Sequence, residues 1–328
     1  MEKIEFEHLD LPIIRSCNLA CAGCMTYSDH KNIKGIVNIN ESLDWLQFWS
    51  KRIKPKSITL FGGEPLLHPN FVEWVSTIKR FWPDSGVNVN TNGYYLDRIY
   101  TKIPELFNAS MTLSMIISIQ TGTEPYLTQT YKNIEIFKQK VLEYYQSLPT
   151  TKSVEWEFWL DESEINFKKW YRIILNGIRI GVGFGICEQY KLSWVTHYTG
   201  QGETMRPVYD YNYTQHTENY SRCHVKSFIN LYRGRMYKCP PTAVLEHTLN
   251  TFNIQNLPEW APYVTGYNTV GIESTDQEIN DWFTRQKEPE KICNMCGLSG
   301  ENAKIITAEQ RSHELKVHWH YNLQTLNT

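Results

Sequence analysis

The sequence predicts an α/β protein: a partial (β/α)6 barrel of the TIM type over residues 1–195, then a smaller metal-stapled module over 196–328. Two observations carry this reading. Between about residues 10 and 190, six short apolar runs alternate with longer helical patterns. Such alternation implies parallel β/α units whose strand-to-helix loops gather at one face, where ligand chemistry is expected. Six units suit an open barrel better than a closed eightfold one. After about residue 195 the pattern changes: the stretch 198–220 is rich in Gly, Thr and Tyr, and four of the eight cysteines lie beyond it.

Taken in order, the strands are expected at 8–14, 57–61, 87–91, 111–120, 154–160 and 181–186. Asn40 is placed to cap a helix over 41–53, with Leu43, Trp45, Leu46 and Trp49 on one face. Asn70 does the same for 71–82, which Pro83 stops. Further helices are predicted at 124–148 and 166–180, with a weaker pattern at 96–107. Runs at 227–231 and 235–237 flank Arg233-Gly234 and read as a hairpin.

Composition excludes several classes. The 328 residues carry a formal net charge of −2, and no basic block exceeds Lys51-Arg-Ile-Lys-Pro-Lys56, so no nucleic-acid partner is expected. The charged start has no apolar h-region, and the run 111–119 is too short to span a bilayer. A cytoplasmic protein with no membrane partner is therefore expected. In a reducing compartment, clustered thiols bind metal rather than pair as disulfides.

Cys17, Cys21 and Cys24 form C-x3-C-x2-C on the loop after the first strand. Tetrahedral zinc takes four ligands and a disulfide framework takes pairs. An iron–sulfur cube held by three thiolates keeps one iron open for a further ligand. Buried structural thiols or a zinc knuckle are the competing readings. The second strand ends in Gly62-Gly63-Glu64-Pro65, where two glycines allow close approach to the backbone. An ordinary Gly-Gly turn would look the same.

These residues, together with Val89-Asn-Thr-Asn-Gly93 and Ile117-Ser118-Ile119-Gln120-Thr-Gly122, resemble the radical S-adenosylmethionine superfamily in both spacing and order over roughly residues 8–190. The resemblance implies that Cys17, Cys21 and Cys24 hold a [4Fe–4S] cluster whose fourth iron chelates S-adenosylmethionine. It implies that Gly62, Gly63 and Glu64 meet the methionyl amine and that Pro65 fixes the turn. Ser118 would bond the cofactor's ribose or carboxylate, and Thr91 and Asn92 would line the same pocket. One-electron cleavage would then give a 5′-deoxyadenosyl radical that abstracts a substrate hydrogen. Two departures stand out: Gly23 replaces the usual aromatic residue before the third cysteine, and Gln120 replaces the usual Asp.

Cys223, Cys239, Cys293 and Cys296 read as C-x10-G-x4-C followed by C-x2-C. This resembles the opening of the seven-cysteine SPASM motif. Position 302 is Asn and no cysteine follows Cys296, as in the shorter twitch domain with one auxiliary [4Fe–4S] cluster. Four thiolates also suit structural zinc. Cys187, Trp156 and Phe158 read as packing residues, Asp161 as a weak substrate contact, and His224 as a surface histidine or an alternative ligand.

The leading expectation is oxidation of a small hydroxylated substrate, with the auxiliary cluster as electron acceptor and a flavodoxin- or ferredoxin-type reductant. It resembles the radical S-adenosylmethionine dehydrogenases that act on aminocyclitols. Peptide maturation is the alternative, although only sixteen residues precede Cys17, too few for the N-terminal peptide-recognition domain many such enzymes carry. A non-catalytic zinc protein would leave the first triad and Gly62–Pro65 unexplained.

Overall fold

β1 (Ile4–Ile14) alternates between half-buried and exposed residues up to His8 and is buried throughout from Leu9 onward. It thus enters the sheet from an edge-like start and runs into its centre. The computed structural model describes residues 2–30, 32–109, 112–161, 168–297 and 305–306. The remaining strands are β2 (Ile53–Gly62), β3 (Gly86–Thr91), β4 (Leu113–Ser118), β5 (Val154–Asp161), β6 (Lys168–Leu175), β7 (Ile178–Cys187), β8 (Trp194–Val195), β9 (Phe228–Tyr232), β10 (Arg235–Tyr237) and β11 (Ile305–Ile306). Nine of them form one mixed sheet in the order β10-β9-β1-β2-β3-β4-β7-β6-β5, and β8 pairs with β11 separately.

From β9 to β7 the pairings are parallel. Register places Leu9 beside Ile58, Ile58 beside Val87, and Val87 beside Leu113, so one face carries a continuous apolar row. The helices α1 (Ile39–Ser50), α2 (Phe71–Phe81), α3 (Ile103–Ala109) and α4 (Tyr126–Gln146) bring Trp49, Trp74, Ile78, Leu106 and Phe137 into the same buried core. Burying each such side chain contributes about 1.5–3 kcal/mol. In the next register positions His8, Asp10, Ser57 and Thr59 join in hydrogen bonds, with His8 Nδ1 2.7 Å from Ser57 Oγ and Nε2 2.9 Å from Asp10 Oδ1.

Several predicted elements shift. The cap of α1 is Asn38, whose side chain accepts from Asn40 N–H at 2.9 Å, and the helix ends before β2 begins at Ile53. The weak pattern at 96–107 resolves into a 3-10 segment, Leu96–Lys102, followed by α3. The predicted strand 111–120 is β4, shorter at both ends; Met111 lies outside the described residues.

The helix expected over 166–180 is instead β6 and the start of β7, with positions 166 and 167 outside the described residues. The cause is Asn176-Gly177, with φ of 51° and 78°, the paired left-handed conformation of a tight hairpin turn. Asn176 reinforces it, its Oδ1 accepting from Lys152 N–H at 2.6 Å and Ser153 N–H at 3.1 Å. β5 and β6 therefore run antiparallel, and the sixfold parallel alternation does not extend past β7.

In the second half, the predicted hairpin is β9–β10, turning at Arg233 and Gly234 with φ of 49° and 82°. β9 joins β1, so the sheet continues across residue 195. The same half carries α5 (His216–Ser221), α6 (Pro240–Thr251), α7 (Ala261–Thr265) and α8 (Asp276–Arg285), of which α6 packs against β9 and β10. No helix among the described residues is long and apolar enough to cross a membrane.

Candidate functional site

The loop after β1 carries Cys17, Cys21 and Cys24, the first two buried and the third partly exposed. Burial pushes the Cys17 thiol well up, and the neighbouring Cys21, Glu64 and Cys24 push it further, so the three sulfurs share one electrostatic neighbourhood. Leu19 N–H donates to Cys17 Sγ at 3.4 Å, and Asn92 Nδ2 approaches the same sulfur at 3.9 Å while donating to Asn18 Oδ1 at 2.7 Å. Thr26 Oγ1 lies 3.3 Å from Cys24 Sγ and donates to the Gly62 carbonyl at 3.0 Å.

Gly62-Gly63 packs directly against this loop. A Cβ at Gly62, where φ is 142°, would sit 2.0 Å from Ile14 O, and one at Gly63 would sit 2.1 Å from Ser16 O. Gly63 N–H bonds Ile14 O at 2.8 Å and Glu64 N–H bonds Ser16 O at 2.9 Å. The glycine pair is thus required by the approach of backbone to backbone.

Glu64 turns inward and is fully buried. Its carboxylate accepts from Thr91 Oγ1 at 2.6 Å, Asn92 N–H at 2.7 Å and Leu66 N–H at 3.0 Å. Burial pushes its carboxyl up to about 7, against the lowering effect of those hydrogen bonds. Thr91, Asn92, Glu64 and the cysteine loop therefore form one braced unit, closed by buried Pro65 at the first position of a 3-10 turn. Ser118 ends β4 beside Cys187 of β7. Cys187 is buried and takes a hydrogen bond from Gln189 Nε2 at 3.2 Å. Gly23 has φ of 68°, and a Cβ there would meet Ile306 Cδ1 at 2.9 Å and Thr196 Cγ2 at 3.9 Å, so other segments occupy the space of the missing aromatic.

Cys223, Cys239, Cys293 and Cys296 come from three separate segments: the turn after α5, the turn from β10 into α6, and a 3-10 turn over Lys291–Met295. They border one hollow, partly open to solvent. Burial raises all four thiols, Cys239 and Cys293 to about 11, and Cys296 is raised further by Cys239, Cys223 and Cys293. Asn219 of α5 holds the last turn, its Nδ2 donating to the carbonyls of Cys293 and Cys296 at 3.0 Å each. Asn294 donates to the carbonyl of Tyr211 at 2.8 Å, which makes the Tyr-rich stretch a strap over this turn. His224 is exposed and is not among the residues walling the hollow.

A set of residues that sequence reading missed connects the two regions. Arg15, 2 % exposed, donates to Thr26 O at 3.2 Å, Thr248 Oγ1 at 2.7 Å and Val244 O at 3.3 Å, tying the first loop to α6. Tyr27, also buried, donates its hydroxyl to Met295 Sδ at 3.7 Å, between Cys293 and Cys296. The Tyr27 ring meets His197 edge-on at 4.9 Å and Tyr198 at 5.2 Å. Tyr198 donates to Asp29, and burial holds His197 down at about 3.

Among the described residues, no three His, Cys, Asp or Glu side chains approach closely enough to hold a single ion. Zinc needs its sulfurs at about 2.3 Å from one centre. An iron–sulfur cube spreads its cysteine sulfurs over separate irons, and an all-thiolate donor set around a hollow fits that larger group.

Residues 11–150 match the Radical SAM superfamily model. The chain is 29 % identical over 98 residues to a GTP 3′,8-cyclase of Microcystis aeruginosa, covering 29 % of this chain and 30 % of that protein. It is 27 % identical over 106 residues to a GTP 3′,8-cyclase of Nautilia profundicola, covering 31 % and 32 %. The aligned part spans about a third of the length of those curated relatives. Among solved structures, BtrN in complex with AdoMet and 2-DOIA superposes with a TM-score of 0.45 at 13 % identity, over 90 % of this chain and 94 % of that one.

Proposed function

We propose, from the match of residues 11–150 to the Radical SAM superfamily model, that this chain is a cytoplasmic two-centre enzyme that oxidises a small hydroxylated substrate. Cys17, Cys21 and Cys24 would hold the [4Fe–4S] cluster that binds S-adenosylmethionine, and Cys223, Cys239, Cys293 and Cys296 an auxiliary one. When bound, these groups supply a hydrogen-abstracting 5′-deoxyadenosyl radical and an acceptor for the electron left on the substrate.

The chain's own residues would do the rest. Gly62–Pro65 would present main chain to the methionyl end, and the inward Glu64 would fix Thr91 and Asn92 at the pocket wall. Ser118, at the end of β4, would face the ribose or carboxylate. The partial barrel over 1–195 would carry the first centre and the twitch-like half over 196–328 the second. A flavodoxin- or ferredoxin-type protein would supply electrons to the first.

The observation that carries this reading is the continuity between the two cysteine regions: Tyr27, three residues after Cys24, bonds Met295 in the Cys293–Cys296 turn. An oxidation that hands an electron from one centre's product to another requires the two centres to share one rigid frame. Anaerobic reconstitution tests it: about eight irons per chain and 5′-deoxyadenosine on reduction are expected. Bound zinc without S-adenosylmethionine cleavage would overturn the reading.

A further inference from the structure

Lys238 immediately precedes Cys239, and its side chain is only 3 % exposed. A buried ammonium is costly unless anionic or polar groups surround it. Its Nζ donates to the carbonyls of Gln286 at 3.0 Å and Glu288 at 2.8 Å, and lies 3.3 Å from Glu290 Oε2. The face of Tyr220 lies 4.8 Å away.

Glu290, however, is already engaged. Its Oε1 bonds Arg285 Nε at 2.7 Å on the solvent side. Two cations share one carboxylate, so the group keeps one net positive charge, and its buried end is Lys238. That end forms part of the wall around Cys223, Cys239, Cys293 and Cys296. Lys226 also borders the hollow but is exposed, so solvent screens it.

We propose that Lys238 is the fixed counter-charge of the iron–sulfur cluster held by these four cysteines, placed to raise its reduction potential and make it an electron acceptor. Reduction adds one electron, hence one negative charge, to a group already ringed by thiolates. A nearby buried cation stabilises that added charge, and net charge is among the levers that set cluster potentials. This inference rests on reading the four cysteines as a cluster site.

The experiment uses the full chain with Cys17, Cys21 and Cys24 replaced by Ala, reconstituted with iron and sulfide and titrated with dithionite under electron paramagnetic resonance. In that background Lys238→Met should lower the reduction equilibrium constant at least tenfold, about 59 mV for a one-electron couple. Lys238→Arg, which keeps the charge, should restore most of the shift, and Lys226→Met should move it little. Glu290→Gln, which removes the offsetting carboxylate, should shift the potential the other way and decides the matter if Lys238→Met loads no cluster. The proposal is overturned if Lys238→Met and Lys238→Arg shift the potential alike, or if neither Lys238→Met nor Glu290→Gln shifts it. A parent variant that holds no four-iron cluster would overturn the underlying reading itself.

Discussion

The two cysteine regions are built in opposite ways. Cys17, Cys21 and Cys24 lie on one loop, braced from below by Gly62–Glu64 and from the side by Asn92. Cys223, Cys239, Cys293 and Cys296 are gathered from three segments and held by Asn219, Asn294 and the Tyr-rich strap. In the first region the chain itself supplies proximity and the fold supplies rigidity; in the second the fold must supply both. The charge environments differ as well. The first has buried Glu64 close to Cys17, and the second has buried Lys238 on its wall. A carboxyl group beside one cysteine set and an ammonium beside the other give the two regions opposite electrostatic surroundings.

The contrast can be broken most severely at the cysteines. Replacing Cys17, Cys21 and Cys24 by Ala should abolish S-adenosylmethionine cleavage and leave about four irons, measured by iron content and 5′-deoxyadenosine release. Replacing Cys239 and Cys296 should lose the second set of irons and keep the cleavage. Iron following neither pattern would mean the regions do not load separately.

Gly63→Ala comes next. Its Cβ would fall 2.1 Å from Ser16 O, a backbone atom that cannot step aside. The expected cost is roughly 3 kcal/mol or more, read by chemical denaturation, with loss of the first centre before the second. Unchanged stability would show that the turn can relax away from the loop.

The pH dependence of the metal-free protein separates the brace from the bridge. His197 is held at about 3 against an ordinary 6.5, so its contribution is complete above about pH 6.5 and is lost as pH falls toward 3. Glu64 is raised from 4.5 to about 7, so its contribution is complete below about pH 4.5 and is lost as pH rises toward 7. His197→Asn should therefore make stability fall more with rising pH between 4.5 and 6.5, and Glu64→Gln should make it rise more. Each effect is a few kcal/mol at most, and denaturant midpoints across that range would show the two signs.

Asn219→Ala is the mildest change. It removes two hydrogen bonds to the Cys293–Cys296 turn, with an expected cost of about 1–3 kcal/mol and lower iron occupancy at the second centre alone. Equal loss at both centres would mean that Asn219 braces the frame the two regions share rather than the second turn alone.

Much of this was legible from residue order. The C-x3-C-x2-C loop, the glycine pair, the parallel strands through β4 and the Arg233-Gly234 hairpin all depend on short-range patterns, and the structure keeps them. The helix expected at 166–180 is the clearest miss. Its aromatic and β-branched residues fit either a helix face or a strand, and Asn176-Gly177 was the overlooked signal that decides for a hairpin. At the site, Glu64 was legible as important, but its direction was not. Whether a carboxylate meets a ligand or turns inward to Thr91 and Asn92 depends on how two strand ends are packed side by side.

By itself, then, the sequence determined that three thiols share one loop, because eight covalently linked residues cannot place them far apart. It also determined the strand-by-strand order that sets the glycine turn beside that loop. Tertiary structure alone decided that residues 223 to 296 close around one hollow, that Tyr27 reaches Met295, and that Lys238 is buried at the second site. Chain connectivity limits distance only over short spans. Over long ones, the packing of β9, α5 and α6 chooses which groups meet and how much solvent is left to screen their charge.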